Sequence, residues 1–224
     1  MERHRSRKAI GAQPILIEAA VESLESALAA EGAGANRIEL CANLSVGGIT
    51  PGVSLIEAVL DETKLAVFVM IRPRGGGFVY SDDEIEAMLR DIEHVGSTRV
   101  AGIVIGALTP DARVDVGRTR TLVNAASGLP VTFHRAFDST DSLPDALEQL
   151  IQLGVSRVLT SGGAPTALEG ASSIADLVDR ARDRIAIIAG GGVREHNVRE
   201  LIARTGVREV HAREVRGIRD ALTG

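Results

Sequence analysis

The chain has 224 residues, with 25 Lys+Arg against 30 Asp+Glu and a formal net charge of −5. With 45% hydrophobic and 25% charged residues, it has the composition of a globular protein with a sizeable core. The acidic balance argues against a general nucleic-acid or anionic-membrane binder, and the single cysteine, Cys41, excludes a disulfide framework and zinc sites made of several thiolates.

No apolar run is long enough to span a bilayer, and no signal-type hydrophobic stretch follows the basic start, so the expected compartment is cytoplasmic. Residues 1–12 are expected to be a flexible basic tail ahead of one domain over 13–224. Aromatics are scarce: no Trp, Tyr80, and Phe68, Phe78, Phe133 and Phe137. The core is therefore expected to be aliphatic, and stacking platforms for bases or sugars are nearly absent.

In chain order, β-branched runs at 15–18, 37–41, 65–72, 100–105, 130–134, 157–160, 185–189 and 208–212 alternate with helical patterns at 22–33, 52–62, 82–94, 115–126, 142–153, 166–182, 194–204 and 214–222. Thr50-Pro51 reads as a capping hydroxyl before a first-turn proline, and Ser81 with Glu84 reads as a capping box. Gly32, Gly96, Gly128, Gly154 and Gly206 fall where left-handed C-caps are wanted. Eight strand–helix units of about 28 residues each suit a compact TIM (β/α)8 barrel. A doubly wound sheet alternates in the same way, but the count of eight and the lack of a GxGxxG turn after the first strand favour the barrel.

In such a barrel, polar residues near strand C-termini point into the mouth. Strand parity gathers Glu18, Glu39, Cys41, Arg72, His134, Thr160 and His211 at one rim. Charges there need partners, and a bland ion pair between Glu39 and Arg72 is one way to supply them. Glu18, Glu39 and His134 are the candidates for moving protons. Arg72, Arg74, Arg135 and Asp138 cluster at the ends of strands 3 and 5. Thr160-Ser161-Gly162 and Gly190-Gly191-Gly192 are glycine turns after strands 6 and 7, where an anion can be cradled. Together with His211 these are the candidate ligand-binding residues. Cys41 and Met70 offer the soft sulfur that Cu(I) prefers, although Cys41 also reads as a small buried hydrophobe. His94 and His196 read as exposed.

Arg37-Ile-Glu-Leu-Cys41, Gly47-Gly-Ile-Thr-Pro51, Met70-Ile-Arg-Pro-Arg-Gly75, Val131-Thr-Phe-His-Arg-Ala-Phe-Asp138, Leu159-Thr-Ser-Gly162 and Glu209-Val-His211, in this order, resemble the CutC copper homeostasis family over about residues 15–212. The resemblance implies a TIM-like barrel, a cytosolic location, a role in copper homeostasis with Cu(I) as ligand, and, with the barrel class, self-association as a homo-oligomer. Three features depart from the family pattern. Ala20 stands where members often carry cysteine, Gly75-Gly-Gly-Phe78 lacks their acidic residue, and one short helix follows the eighth strand where many members continue. The loss of the first-strand cysteine removes a candidate copper thiolate.

Two functions stand side by side on this reading. One is a copper-handling protein that binds Cu(I) at the mouth through Cys41 and Met70. The other is an enzyme acting on a small phosphorylated or carboxylated metabolite, as an isomerase, a lyase or an aldolase without a Schiff base, since no lysine ends an inward strand.

Overall fold

Eight parallel strands close into a barrel in chain order. They are β1 (Leu16–Val21), β2 (Arg37–Leu40), β3 (Ala66–Met70), β4 (Gly102–Ile105), β5 (Val131–Phe133), β6 (Arg157–Thr160), β7 (Ala186–Gly190) and β8 (Glu209–Ala212). The computed structural model describes residues 14–224, so the expected tail at 1–12 lies outside the described residues. A helix follows each strand: α1 (Leu24–Gly32), α2 (Val53–Glu62), α3 (Asp82–Gly96), α4 (Val116–Ala125), α5 (Leu143–Gln152), α6 (Ala171–Ala181), α7 (Val198–Thr205) and α8 (Arg216–Thr223). The expected TIM barrel is the architecture found.

The core lies between the barrel's outer face and the helices. Ile17, Ile38, Leu40, Val67, Val69, Ile103, Val131, Phe133 and Val158 all point outward into one aliphatic cluster with residues such as Ile56, Met88, Leu122 and Leu147. A period of two fixes this layer, because each strand shows its other face to the interior. A smaller cluster of Cys41, Phe68, Met70 and Val104 fills part of the interior.

Helix starts follow local chemistry. Ser81 and Glu84 form the expected box at α3, with Ser81 Oγ accepting from the Glu84 N–H at 3.2 Å. Thr50 does not cap α2, whose N-cap is Gly52 without a side-chain bond. Its hydroxyl instead accepts from Arg72 N–H at 3.0 Å, which ties the β2–α2 loop to the end of β3. Among the expected C-cap glycines, Gly128, Gly154 and Gly206 take positive φ, whereas Gly32 and Gly96 close the last turns of α1 and α3 and Gly34 takes the positive φ beyond α1. The helix expected over 166–182 begins only at Ala171, because the β6–α6 segment turns back to bond β7–α7, with Ala167 N–H donating to Gly191 O at 2.8 Å.

Candidate functional site

The interior holds two polar layers. The lower one is built on Arg37, which follows the same parity as Glu39 and so points inward. Its guanidinium pairs with both Glu18 and Glu209 and lies over the Phe68 ring at 5.6 Å. Arg157 lies over the same ring at 4.1 Å and donates to Thr132 Oγ1 at 3.2 Å. Register explains the pairing, since Glu18 sits opposite Arg37 on β2 and opposite His211 on β8. Sequence reading missed Arg37, Arg157 and Glu209. They lie at the N-terminal ends of their strands; Arg37 and Glu209 share parity with Glu39 and His211, a signal the sequence carries, whereas Arg157 shares parity with Leu159 and is hidden by placing Thr160 inward.

Above this layer, His211 Nδ1 is 2.8 Å from Glu18 Oε1 and its Nε2 is 4.0 Å from Glu39 Oε1. Burial alone would raise Glu18, but the His211 hydrogen bond and the Arg37 charge outweigh it and hold the carboxyl at about 2. Glu39 has no cation hydrogen-bonded to it. Burial pushes it up to about 7, with Glu18 adding to the rise and His211 opposing it. Burial lowers His211, yet the Glu39 charge and the Glu18 bond raise it above the ordinary imidazole value. The anticipated Glu39–Arg72 pair is therefore not formed: Glu39 Oε2 is buried without a hydrogen-bond partner among the described residues.

His134 ends β5 at the same height. Its Nδ1 accepts from Ala136 N–H at 3.1 Å, which leaves the proton on Nε2. Burial and the nearby Arg72 charge push its pKa down to about 3, so the ring is neutral. Nε2 is buried and finds no partner among the described residues. Gly106 makes this possible, because a Cβ there would overlap the imidazole. Glu39, His134, His211, Met70 and Arg72 line one cavity of about 530 Å³ that opens at the C-terminal end of the barrel.

Several expected ligand residues are otherwise engaged. Arg72 lines the cavity, but its guanidinium donates to the carbonyls of Val46, Gly48 and Gly76 at 3.1, 2.9 and 2.7 Å. It staples two loops over the mouth. Arg74 turns away, paired with Glu84 at 2.5 Å and donating to the carbonyls of Gly77 and Val79. Thr160 does not point inward. It shares parity with the outward Val158, and its hydroxyl donates to Asp138 while Leu159 faces the cavity. Asp138 is likewise consumed, accepting from Ser161 N–H and Gly163 N–H, each at 3.0 Å, and from Arg135 Nε at 2.8 Å. Gly162 sits in that same turn, and Gly190 gives room to Leu159 and His211. Glu18 is a positioning group beneath His211 rather than a wall of the cavity. His94 and His196 are exposed, as expected.

The sulfur groups meet under the β2–α2 turn. A Cβ on Gly48 would stand 3.1 Å from Cys41 Sγ and 3.5 Å from Met70 Cε. Cys41 is fully buried, its thiol contacts Val21 O at 3.6 Å, and burial together with Glu39 pushes its pKa up to about 12. A resident Cu(I)–thiolate centre does not fit a lone thiol held protonated in this way. Glu18, Glu39 and His211 present three ligand atoms within 4.8 Å of one another. Glu18 is already shared by Arg37 and His211, and the oxygen-rich set suits a hard ion rather than Cu(I).

A family model described as the CutC family matches residues 15–215. The chain belongs to the CutC family. It is 45% identical to the copper homeostasis protein cutC homolog of Homo sapiens over 224 residues, which cover 98% of this chain and 82% of that protein. It is 49% identical to a family protein CutC of Pasteurella multocida over 195 residues, covering 87% of this chain and 80% of the relative. The crystal structure of a CutC copper homeostasis protein from Streptococcus agalactiae superposes with a TM-score of 0.85 at 36% identity, covering 90% of this chain and 99% of that one. A Rubisco-like protein from Rhodopseudomonas palustris, at 17% identity and a TM-score of 0.67, shares the fold alone. No helix among the described residues is long and apolar enough to cross a membrane.

Proposed function

We propose that this CutC chain serves copper homeostasis indirectly, as an enzyme that moves a proton on a small metabolite in the barrel mouth. One observation carries the reading: two residues that line the same cavity, Glu39 and His134, each hold a buried, unpartnered atom of opposite character, Oε2 and Nε2. Leaving either unmet costs stability, so a ligand that satisfies both is the natural complement. Glu39, poised at about 7, accepts a proton from substrate and becomes the neutral acid that its burial favours. His134, fixed as the neutral Nε2–H tautomer, donates to the oxygen on which negative charge grows. His211, oriented by Glu18, lies beside Glu39 and steadies the carboxylate until it is protonated.

The proton then returns from Glu39 to a different atom in an isomerase, or to the leaving group in a lyase. A Schiff-base route has no amine here, since Lys64, the lysine among the described residues, is exposed. We place this work in the cytosol, where a lone buried thiol stays reduced. Incubating the protein with a panel of small phosphorylated and carboxylated metabolites in D2O tests it, with substrate C–H exchange read by proton NMR. Wild type should wash deuterium into at least one panel member, and Glu39→Gln should slow that exchange about 100-fold or more. Undiminished exchange in a folded Glu39→Gln variant would remove Glu39 from the chemistry.

A second reading has its own observation, the Cys41 and Met70 sulfur groups facing the same point beneath Gly48. On it, Cu(I) is cargo bound at the mouth, displacing the Cys41 proton. Anaerobic competition against a chromogenic Cu(I) chelator separates the two. The enzyme reading expects weak competition that Cys41→Ala leaves unchanged. Tight one-equivalent binding abolished by Cys41→Ala would establish the copper site.

A further inference from the structure

The far wall of the mouth, away from Glu39, is formed by the β5 and β7 loops. Arg135 follows His134 directly and is held from behind: its Nε donates to Asp138 Oδ2 at 2.8 Å and its Nη2 to Ser161 Oγ at 2.7 Å. Asp138 is itself locked by the N–H groups of Ser161 and Gly163, so the guanidinium is fixed before any ligand arrives. Two of its five N–H donors are used in this way. The other three, both on Nη1 and one on Nη2, donate to nothing among the described residues, and Arg135 lines the cavity.

The β7–α7 loop meets it there. Gly191 and Gly192 have φ of +106° and +72°, conformations that favour glycine. A Cβ on Gly191 would stand 3.1 Å from Ser161 Cβ and 3.4 Å from Arg135 Nη1, so glycine lets the guanidinium lie across the loop. Gly191, Gly192 and Val193 also line the cavity, and their three successive backbone N–H groups donate to no acceptor among the described residues. Val193 is almost wholly buried, where an unmet N–H is costly. Arg194 and Arg213 add positive charge at the same rim.

We propose that Arg135 and the N–H groups of Gly191, Gly192 and Val193 form an anion subsite whose ligand is the phosphate of a small phosphate monoester. This deepens the enzyme reading and rests on it for the rest of the ligand. Six unclaimed donors from two loops match the three oxygens of a terminal phosphate, each accepting more than one bond. A carboxylate presents two oxygens and leaves donors unmet. The phosphate at Arg135 places the remainder of the molecule toward His134 and Glu39 within the same cavity.

Titration of the wild-type protein with inorganic phosphate, by calorimetry and 31P NMR, tests the subsite without any turnover. Saturable one-site binding is expected, displaced by sulfate and not by acetate. Arg135→Gln should weaken it about tenfold or more, and Arg135→Lys, which keeps the charge and loses the fork, should fall between the two. Arg90→Gln, which removes an exposed charge on α3, should bind as wild type does. Circular dichroism verifies that each variant is folded, and Arg135→Lys stands in if Arg135→Gln is not. No saturable binding by wild type, or equal binding by a folded Arg135 variant, would overturn the subsite. Either failure leaves the proton-transfer reading to be judged on Glu39, while lost exchange chemistry with intact phosphate binding would sink that reading and keep the subsite.

Discussion

Replacing Arg37 by methionine should destabilise the fold by about 3–5 kcal/mol, the cost of breaking a buried ion network by removing one partner. Methionine fills much of the space and packs on Phe68, but Glu18 and Glu209 then lose the cation they share inside the barrel. Glu18 keeps only His211, and Glu209 faces Arg157 through the interior. Urea denaturation at pH 7 measures the loss. Adding Glu18→Gln and Glu209→Gln to Arg37→Met should recover a large part of it, because the charges left stranded are then gone. A loss below about 1 kcal/mol, in the range of surface pairs, would mean that water reaches this layer and that the barrel floor is not dry.

Stability should also fall as pH rises through neutrality, and Glu39 is the reason. Its folded value of about 7 lies above its ordinary 4.5. The contribution is therefore fully present below pH 4.5 and is lost as pH rises through 7, amounting to about 3 kcal/mol once the group is ionised. His211, also raised when folded, acts with the same sign as pH rises above its ordinary value of 6.5. Glu18 acts with the opposite sign: its depressed value of about 2 gives stability present above pH 4.5 and lost as pH falls toward 2. The two carboxyls together place the stability maximum on the acid side of neutrality, near pH 5. Glu39→Gln should flatten the decline between about pH 5 and pH 8. Thermal melts of both proteins across that range check it, and parallel profiles would contradict a raised Glu39.

Much of this arrangement is legible from residue order. Alternation predicts eight units, and parity on β2, β3, β5 and β8 places Glu39, Cys41, Met70, Arg72, His134 and His211 inside, where they are found. The same rule places Arg37 and Glu209 inside, but attention to the C-terminal ends of strands passes over them; Arg157 is hidden because taking Thr160 as inward turns it outward, and a charged floor is visible only once three strands are brought together. Thr160 misleads because a polar residue at a strand end suggests the mouth. Leu159 takes the inward place, and Thr160 serves Asp138, a partner 22 residues away whose position no spacing reveals. Arg72 and Arg74 show the other limit. Their sequence suits an anion, but loop carbonyls and Glu84 claim them first, and loop closure is not written in strand parity. The free fork belongs to Arg135 instead, and only the Asp138 and Ser161 contacts distinguish it.

The central claim is that Glu39 exchanges a proton near neutral pH inside the mouth, and direct titration of its carboxyl tests this. Protein labelled with 13C at glutamate Cδ, compared with Glu39→Gln, identifies the resonance by subtraction. A carboxyl that titrates near 7 and is missing from the variant is the expected result. A Glu39 signal that titrates at its ordinary value of 4.5 would mean an open, hydrated or ion-paired carboxylate, and the acid–base reading of the mouth would fall with it.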